Sequence, residues 1–390
     1  MQQLTPSQAF DELLRWCRGQ EFSGHDPFDA LNSQLFQATP FRNTRLARLA
    51  WTQANKRSPF NLRALAAVPR QRNAKGIALF ALAALANHRR LKTPATENDA
   101  SELLDVLLQM QIRGYSGAAW GYNFDWQSRN FFAPKGTPTV VPTAFAVRAL
   151  LEGYQAVNDQ SYLEVAKSSC DFIRADLNVT AESAEEICFS YSPLDQTQIF
   201  NASLLAAETL GAVGSLTGDA ELSAMATRAA RYVVRHQQPD GSWSYGTASE
   251  QAWVDNFHTA YVLLSLSRIM GNSKAAGKEF EPALVRGFKF WRESFFLADG
   301  WPKYYHDSLY PADAHAAATA IVTLVELQDL DPEALPLAER IASWSISNLR
   351  DSRGFFYYQR RRFQTIRTPF MRWTQSWMLY ALARLLEAKV

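Results

Sequence analysis

His258, Tyr305, Asp255, Asp125 and Asp307 are the side chains in this sequence whose types and neighbours suit proton transfer. They sit in stretches dense in Trp, Tyr, Asp, Asn and His: "WGYNFDWQSRNFF" (120–132), "WVDNFH" (253–258) and "GWPKYYHDSLYPADAH" (300–315). "FSGHDPFDALNS" (22–33) and "TIRTPFMRWTQSW" (365–377) have the same character. Abstracting a proton beside a uronate carboxylate needs a base, an acid on the opposite face and cations for the enolate-like charge. His258 and Tyr305 are assigned as base and acid, and Arg367 and Arg372 as forked carboxylate anchors. Trp120, Trp126 and Trp253 are read as faces for sugar stacking, with Tyr122, Asn256, Tyr304, His315 and Trp373 as further binding groups. Hydrolysis of a glycoside needs instead two carboxylates flanking one bond, and Asp125 with Asp255 or Asp307 could supply them. Each residue also has a structural role open to it. Asp255 and Asp313 precede apolar runs where an acid caps a helix, and Asp26 and Asp29 in "HDPFDALNS" read as turn formers.

These stretches recur because the chain repeats. Apolar helical runs open at Thr143, Asn201, His258, His315 and Gln375, at intervals of 58, 57, 57 and 60 residues. Between them lie more charged runs, such as "AELSAMATRAARYVVRHQ", each followed by a break that carries an aromatic. A helix apolar on all sides must be covered on all sides, whereas a one-faced helix can meet water. An inner ring wrapped by an outer ring satisfies both, and the pattern predicts an all-α (α/α)6 toroid of six hairpins. "TENDASELLDVLLQMQ" is read as the outer partner of the Thr143 helix, and 6–18 as that of an inner helix at 74–90. One domain is expected over 1–390, with 1–72 an outer helix plus a long insertion and 73–390 the repeats. Sustained strand alternation is nearly absent. All long loops would then gather at one mouth, where inner-helix N-termini converge and favour an anionic, oxygen-rich ligand.

Composition bounds the function. Forty basic against thirty-eight acidic residues give a formal charge of +2, which offers no support for a nucleic-acid partner. Cys17, Cys170 and Cys188 lack CxxC spacing, so buried free thiols are expected rather than disulfides or a zinc knuckle. No run is long and apolar enough for a bilayer, and the first residues read as a capped amphipathic helix, so a soluble cytoplasmic protein is expected.

Two resemblances add to this reading. "QQPDGSW", with Gln237, Gly241 and Trp243, resembles the repeat signature of squalene-cyclase and prenyltransferase toroids. It implies a Gln bonding helix-end backbone groups and a Trp packed between hairpins. "FHTAYVLLSLS" is similar to the zinc-histidine segment of protein prenyltransferase β subunits. Thr197 stands where that resemblance would need a thiolate, so no metal or other cofactor is expected. More broadly, "GHDPFDALNS", "WGYNFDWQSR", "WVDNFHTAYVLLSL" and "RWTQSWMLYALARLL" resemble the α/α-toroid proteins of bacterial polysaccharide-biosynthesis clusters. That group is similar in fold to uronyl C5-epimerases, polysaccharide lyases and unsaturated-uronyl hydrolases. The resemblance implies a partner that is a poly- or oligosaccharide or a glycolipid precursor, and epimerisation or elimination as its chemistry. The alternatives are a glycoside hydrolase, a non-catalytic glycan-binding or assembly subunit and, last, a terpenoid cyclase or prenyltransferase.

Overall fold

The computed structural model describes residues 4–128 and 131–390, with the side chains of 274 and 275 left out. Six helices form an inner ring: α4 (Ala74–Leu91), α6 (Val140–Val157), α8 (Phe200–Thr217), α10 (Asn256–Asn272), α12 (Ala314–Glu326) and α14 (Ser376–Glu387). Each packs on the next, and α14 packs on α4, which closes the circle. The outer ring is α1 (Pro6–Gly19), α5 (Pro94–Gln109), α7 (Gln160–Ala175), α9 (Ala220–Arg235), α11 (Lys274–Phe295) and α13 (Ala334–Leu349). Two more helices, α2 (Gln34–Gln37) and α3 (Arg45–Arg57), belong to the insertion between α1 and α4. The protein is an all-α toroid, and its core is one cluster running from Ala9 to Leu385.

Burial separates the rings as the sequence pattern requires. Inner α8 buries fourteen of its eighteen residues, whereas outer α9 buries six of sixteen, Leu222, Ala226, Ala229, Ala230, Tyr232 and Val233, on one stripe. Three inner helices end in left-handed residues, at Lys92 after α4, Asn158 after α6 and Gly218 after α8. These stops fold the chain straight back onto α5, α7 and α9, and each of α5, α7, α9, α11 and α13 packs chiefly on the inner helix that precedes it. This corrects two expected pairings. The helix at Pro94–Gln109 leans on α4 more than on α6, and Pro6–Gly19 closes the ring against α14 and α13.

"QQPDGSW" acts as an inter-hairpin wedge. Gln237 Nε2 donates to the carbonyls of Gly241 (3.0 Å) and Ala283 (2.9 Å), and buried Trp243 donates from Nε1 to Val233 O at 2.9 Å. Gly241 has φ +94°, and a Cβ there would lie 2.6 Å from Arg286 O.

Strands do occur, in the long loops: Trp126–Gln127 with Phe132–Ala133, Val179–Glu182 with Ile187–Phe189, and Ala312–Asp313 with Gln359–Arg360 and Thr365–Ile366. At two to four residues they are too short for alternation to reveal. The loops also lace the ring. The amides of Val140, Phe200, Asn256 and Ala314, each opening an inner helix, donate to the carbonyls of Tyr191, Tyr245, Tyr304 and Tyr358.

Away from this rim the inner ring is belted by charge. Glu208 bridges Arg148 and Arg268, Arg268 continues to Glu326, and Arg89 joins Glu387 to Glu152. Cys17, Cys170 and Cys188 are buried free thiols.

Candidate active site

The first turns of the inner helices bring Lys75, Val141, Asn201, His258 and His315 to the wall of one cavity of about 630 Å³. Arg372 and Trp373 join them from the turn of π-helix, Met371–Gln375, that leads into α14. The loops add Tyr122, Trp126, Tyr191, Tyr245, Trp253, Tyr304 and Tyr305, and α3 closes one side with Leu49, Gln53, Lys56 and Arg57. Trp126 and Tyr305 from loops, His258 from the first turn of α10 and Arg372 from the π-helix turn therefore share one chamber.

Asp255 is the N-cap of α10 and also holds His258. One carboxylate oxygen accepts from His258 N at 2.9 Å, and the other lies 2.6 Å from His258 Nδ1 and 3.1 Å from Trp253 Nε1. A carboxylate only accepts, so Nδ1 carries the hydrogen, and in the neutral ring the lone pair is then on Nε2. That is the tautomer of a general base facing the cavity.

A second chain runs beside the first, since Tyr261 lies one turn on from His258 in α10, with ring centroids 6.2 Å apart. Lys75 Nζ lies 3.0 Å from Tyr261 Oη, which lies 2.7 Å from His315 Nε2. All three are buried, and burial decides their charge: it pushes Lys75 and His315 well below their ordinary values and Tyr261 well above its own. Arg372 and Arg148 depress Lys75 further. His315 Nδ1 is buried with no hydrogen-bond partner among the described residues, and it must be a donor if Nε2 accepts from Tyr261.

The cations differ in kind. Arg372 is 3% exposed and forked onto Asp26, with Nε at 2.5 Å and Nη2 at 2.8 Å, and its guanidinium lies 5.1 Å from the Tyr122 ring centroid. Burial opposes its charge and the Asp26 carboxylate more than offsets this, so it stays protonated. Lys56 has no carboxylate partner among the described ion pairs, and burial lowers it to about 8 despite Asp313 and Asp26. Tyr122, Tyr191, Tyr245 and Tyr304 are all raised by burial, so the phenols around the cavity are neutral donors.

Of the residues singled out from sequence, Tyr122, Trp126, Trp253, Asp255, His258, Tyr304, Tyr305, His315, Arg372 and Trp373 line this cavity. Five do not. Trp120 is fully buried, its Nε1 donating to Leu107 O at 2.8 Å, and Asn256 pins Lys303 O and Trp291 Nε1. Asp125 accepts from Lys135 N at 2.8 Å and fastens the insertion through Gln37. Asp307 is exposed on a turn, and Arg367 is exposed over the Tyr357 ring. Asp313 caps α12 by accepting from His315 N, also receives Trp373 Nε1 and Gln359 Nε2, and does not line the cavity. Asp26 and Asp29 are more than turn formers, since they anchor Arg372 and Arg63. One opening amide in each of four inner helices is taken by a tyrosine carbonyl, and Arg372, Lys56 and Arg57 bring side-chain positive charge to the cavity wall.

Lys75, Lys56 and Tyr261 escaped the sequence reading, in which Tyr191 and Tyr245 stand only as aromatics beyond the helix breaks. Lys75 and Tyr261 sit within apolar runs, where their only signal was a polar atom on an otherwise buried helix. Among the described residues, no three His, Cys, Asp or Glu gather as metal ligands would.

No family model matches the chain, and no curated protein matches it. Its fold recurs in solved structures. The cellobiose 2-epimerase from Bacillus thermoamylovorans superposes with a TM-score of 0.64 at 15% identity, over 82% of this chain and 88% of that one. An α-mannanase from Bacteroides thetaiotaomicron gives a TM-score of 0.61 at 14% identity, over 80% and 86%. An unsaturated glucuronyl hydrolase specific for heparin gives 0.59 at 15% identity, over 81% and 86%. The toroid is thus the fold on which several carbohydrate-active enzymes are built.

Proposed function

We propose that the protein is a carbohydrate-active enzyme that epimerises or isomerises a sugar by moving a proton on a carbon next to a carbonyl or carboxylate. The observation that carries this reading is the 2.6 Å contact between Asp255 and His258 Nδ1, in the same chamber as the buried Tyr261–His315 pair. His258 Nε2 takes the proton, and the electrons of the broken C–H bond move onto the substrate oxygen. Arg372 as a cation and Lys75 as a neutral hydrogen-bond donor stabilise that oxygen, and the Tyr261–His315 chain returns a proton. Tyr305, first assigned as the acid, is then a binding residue at the wall. Trp126 and Trp253 offer ring faces to the sugar.

An anionic substrate, a uronate among them, suits a chamber whose charged lining among the described residues is Lys56, Arg57, Arg372 and a single carboxylate, Asp255. The same fact counts against glycoside hydrolysis, since that carboxylate is committed to His258 and no second one lines the chamber among the described residues. Incubation in D2O with a panel of reducing disaccharides and uronate-containing oligosaccharides tests the proposal. Deuterium should appear at one carbon beside the carbonyl or carboxylate, read by NMR, and no uptake across the panel would remove proton abstraction.

A further inference from the structure

The rim of the chamber has a surface that the sugar chemistry does not explain. Leu35, Phe41, Leu46, Phe60, Leu62 and Leu65 are exposed large apolar side chains that all fall within the insertion between α1 and α4. Phe60 is 74% exposed and Leu65 78%, and Phe363, at the tip of the hairpin between Gln359 and Ile366, is 89% exposed. Charge follows the same two segments. Residues 34–72 hold eight Lys and Arg and no Asp or Glu, and residues 352–373 hold six and none, in a chain whose formal charge is +2. The rest of the molecule is therefore acidic overall.

The two segments flank one mouth. The α3 helix lines the chamber, and the charge of Arg361 is felt at Lys56. Buried Arg63 ties the Phe60–Leu65 loop to Asp29 and lies 4.5 Å from the Phe370 ring centroid; Phe370 in turn packs on Tyr358. Arg63 and Arg372 turn inward onto acids, but Arg42, Arg57, Arg361, Arg362 and Arg367 meet no carboxylate among the described ion pairs.

We propose that this rim docks on an anionic membrane surface, with Phe60, Leu65 and Phe363 entering the boundary between headgroups and acyl chains and the arginines meeting lipid phosphates. Exposed aromatic and aliphatic side chains among unpaired arginines are the composition of an interfacial contact. A soluble polyanion would use the arginines but give no reason for the exposed Phe and Leu. A second copy of the same rim would set like charges face to face. No helix among the described residues is long and apolar enough to span a bilayer, so the contact is peripheral. With the rim on the membrane the chamber opens toward the lipid headgroups, and its sugar arrives attached to a lipid; this last step rests on the sugar chemistry proposed above.

Flotation of the full chain with vesicles of phosphatidylcholine, with and without phosphatidylglycerol, is the test. Binding should favour the anionic vesicles by about tenfold or more and weaken as salt is raised. Arg361→Glu with Arg362→Glu should lower it by about tenfold or more, and Phe60→Ser, Leu65→Ser and Phe363→Ser together by several-fold. All five positions are exposed or on the hairpin tip, and unchanged thermal melting would show that the variants fold. Equal binding to both vesicle types would overturn the proposal. So would binding that ignores the three Ser changes and is competed away by heparin, which would mark a polyanion surface instead. The assay uses no sugar, so its failure leaves the proton chemistry standing, and absent deuterium uptake leaves the docking standing.

Discussion

At the scale of single residues, the proposed proton transfer rests on which ring nitrogen of His258 carries the hydrogen. Asp255→Asn keeps a good helix cap, but its amide can turn an N–H toward His258 Nδ1 and favour the wrong tautomer. Deuterium uptake should fall roughly 10²–10⁴-fold with little change in melting temperature. A large loss of stability would mean that Asp255 is only a structural cap. Asp313 makes a different prediction. Burial raises its carboxyl to about 6, against its ordinary 3.8, because the ionised form is desolvated despite the bonds from His315, Trp373 and Gln359. A folded value above the unfolded one means that stability is fullest below about pH 4 and declines as pH rises through about 6, by about 3 kcal/mol in all. Asp313→Asn, which cannot ionise, should flatten that slope in urea titrations at pH 4 and pH 7.

Among the elements, the hairpins carry the architecture and the charge belt fixes the inner helices to one another. Burial alone would raise the Glu208 carboxyl, but Arg148, Arg268 and Ser265 outweigh it and hold it at about 2. A folded value depressed from 4.5 contributes stability above that pH, and the contribution is lost as pH falls toward 2. Glu208→Gln leaves Arg148 and Arg268 facing each other without their shared carboxylate, and should cost about 3 kcal/mol at pH 7. The deficit should shrink toward pH 2. A cost independent of pH would assign the loss to packing instead. The same elements show how repeats read from sequence: first-turn residues recur near 57 positions apart because each occupies the same place in a hairpin.

For the whole molecule, the ring is closed by its ends. The α1 helix, from the start of the chain, packs on α14 from its finish, and Leu13 at that seam is fully buried. Leu13→Ala should cost about 2–5 kcal/mol. Because the core is one cluster, the loss should move the entire urea transition, seen alike by Trp fluorescence and by helical circular dichroism. Separate transitions for the two probes would show that the seam opens by itself.

The amino-acid pattern alone determined the two rings, the repeat and the gathering of rich loops at one mouth, since helical period and all-round apolarity are local properties that survive without the fold. It also placed His258 and His315 at inner-helix starts, and Arg372 in the loop that precedes the last of them. Tertiary structure decided which loop side chains turn inward. Loops have no period, so nothing local told that Asp125 would fasten a neighbouring segment while Asp26 would brace Arg372 from 346 residues away. Nor could the apolar runs disclose Lys75 and Tyr261 as members of a hydrogen-bonded chain. Their partners come from other turns of the ring, and only closure brings them within reach.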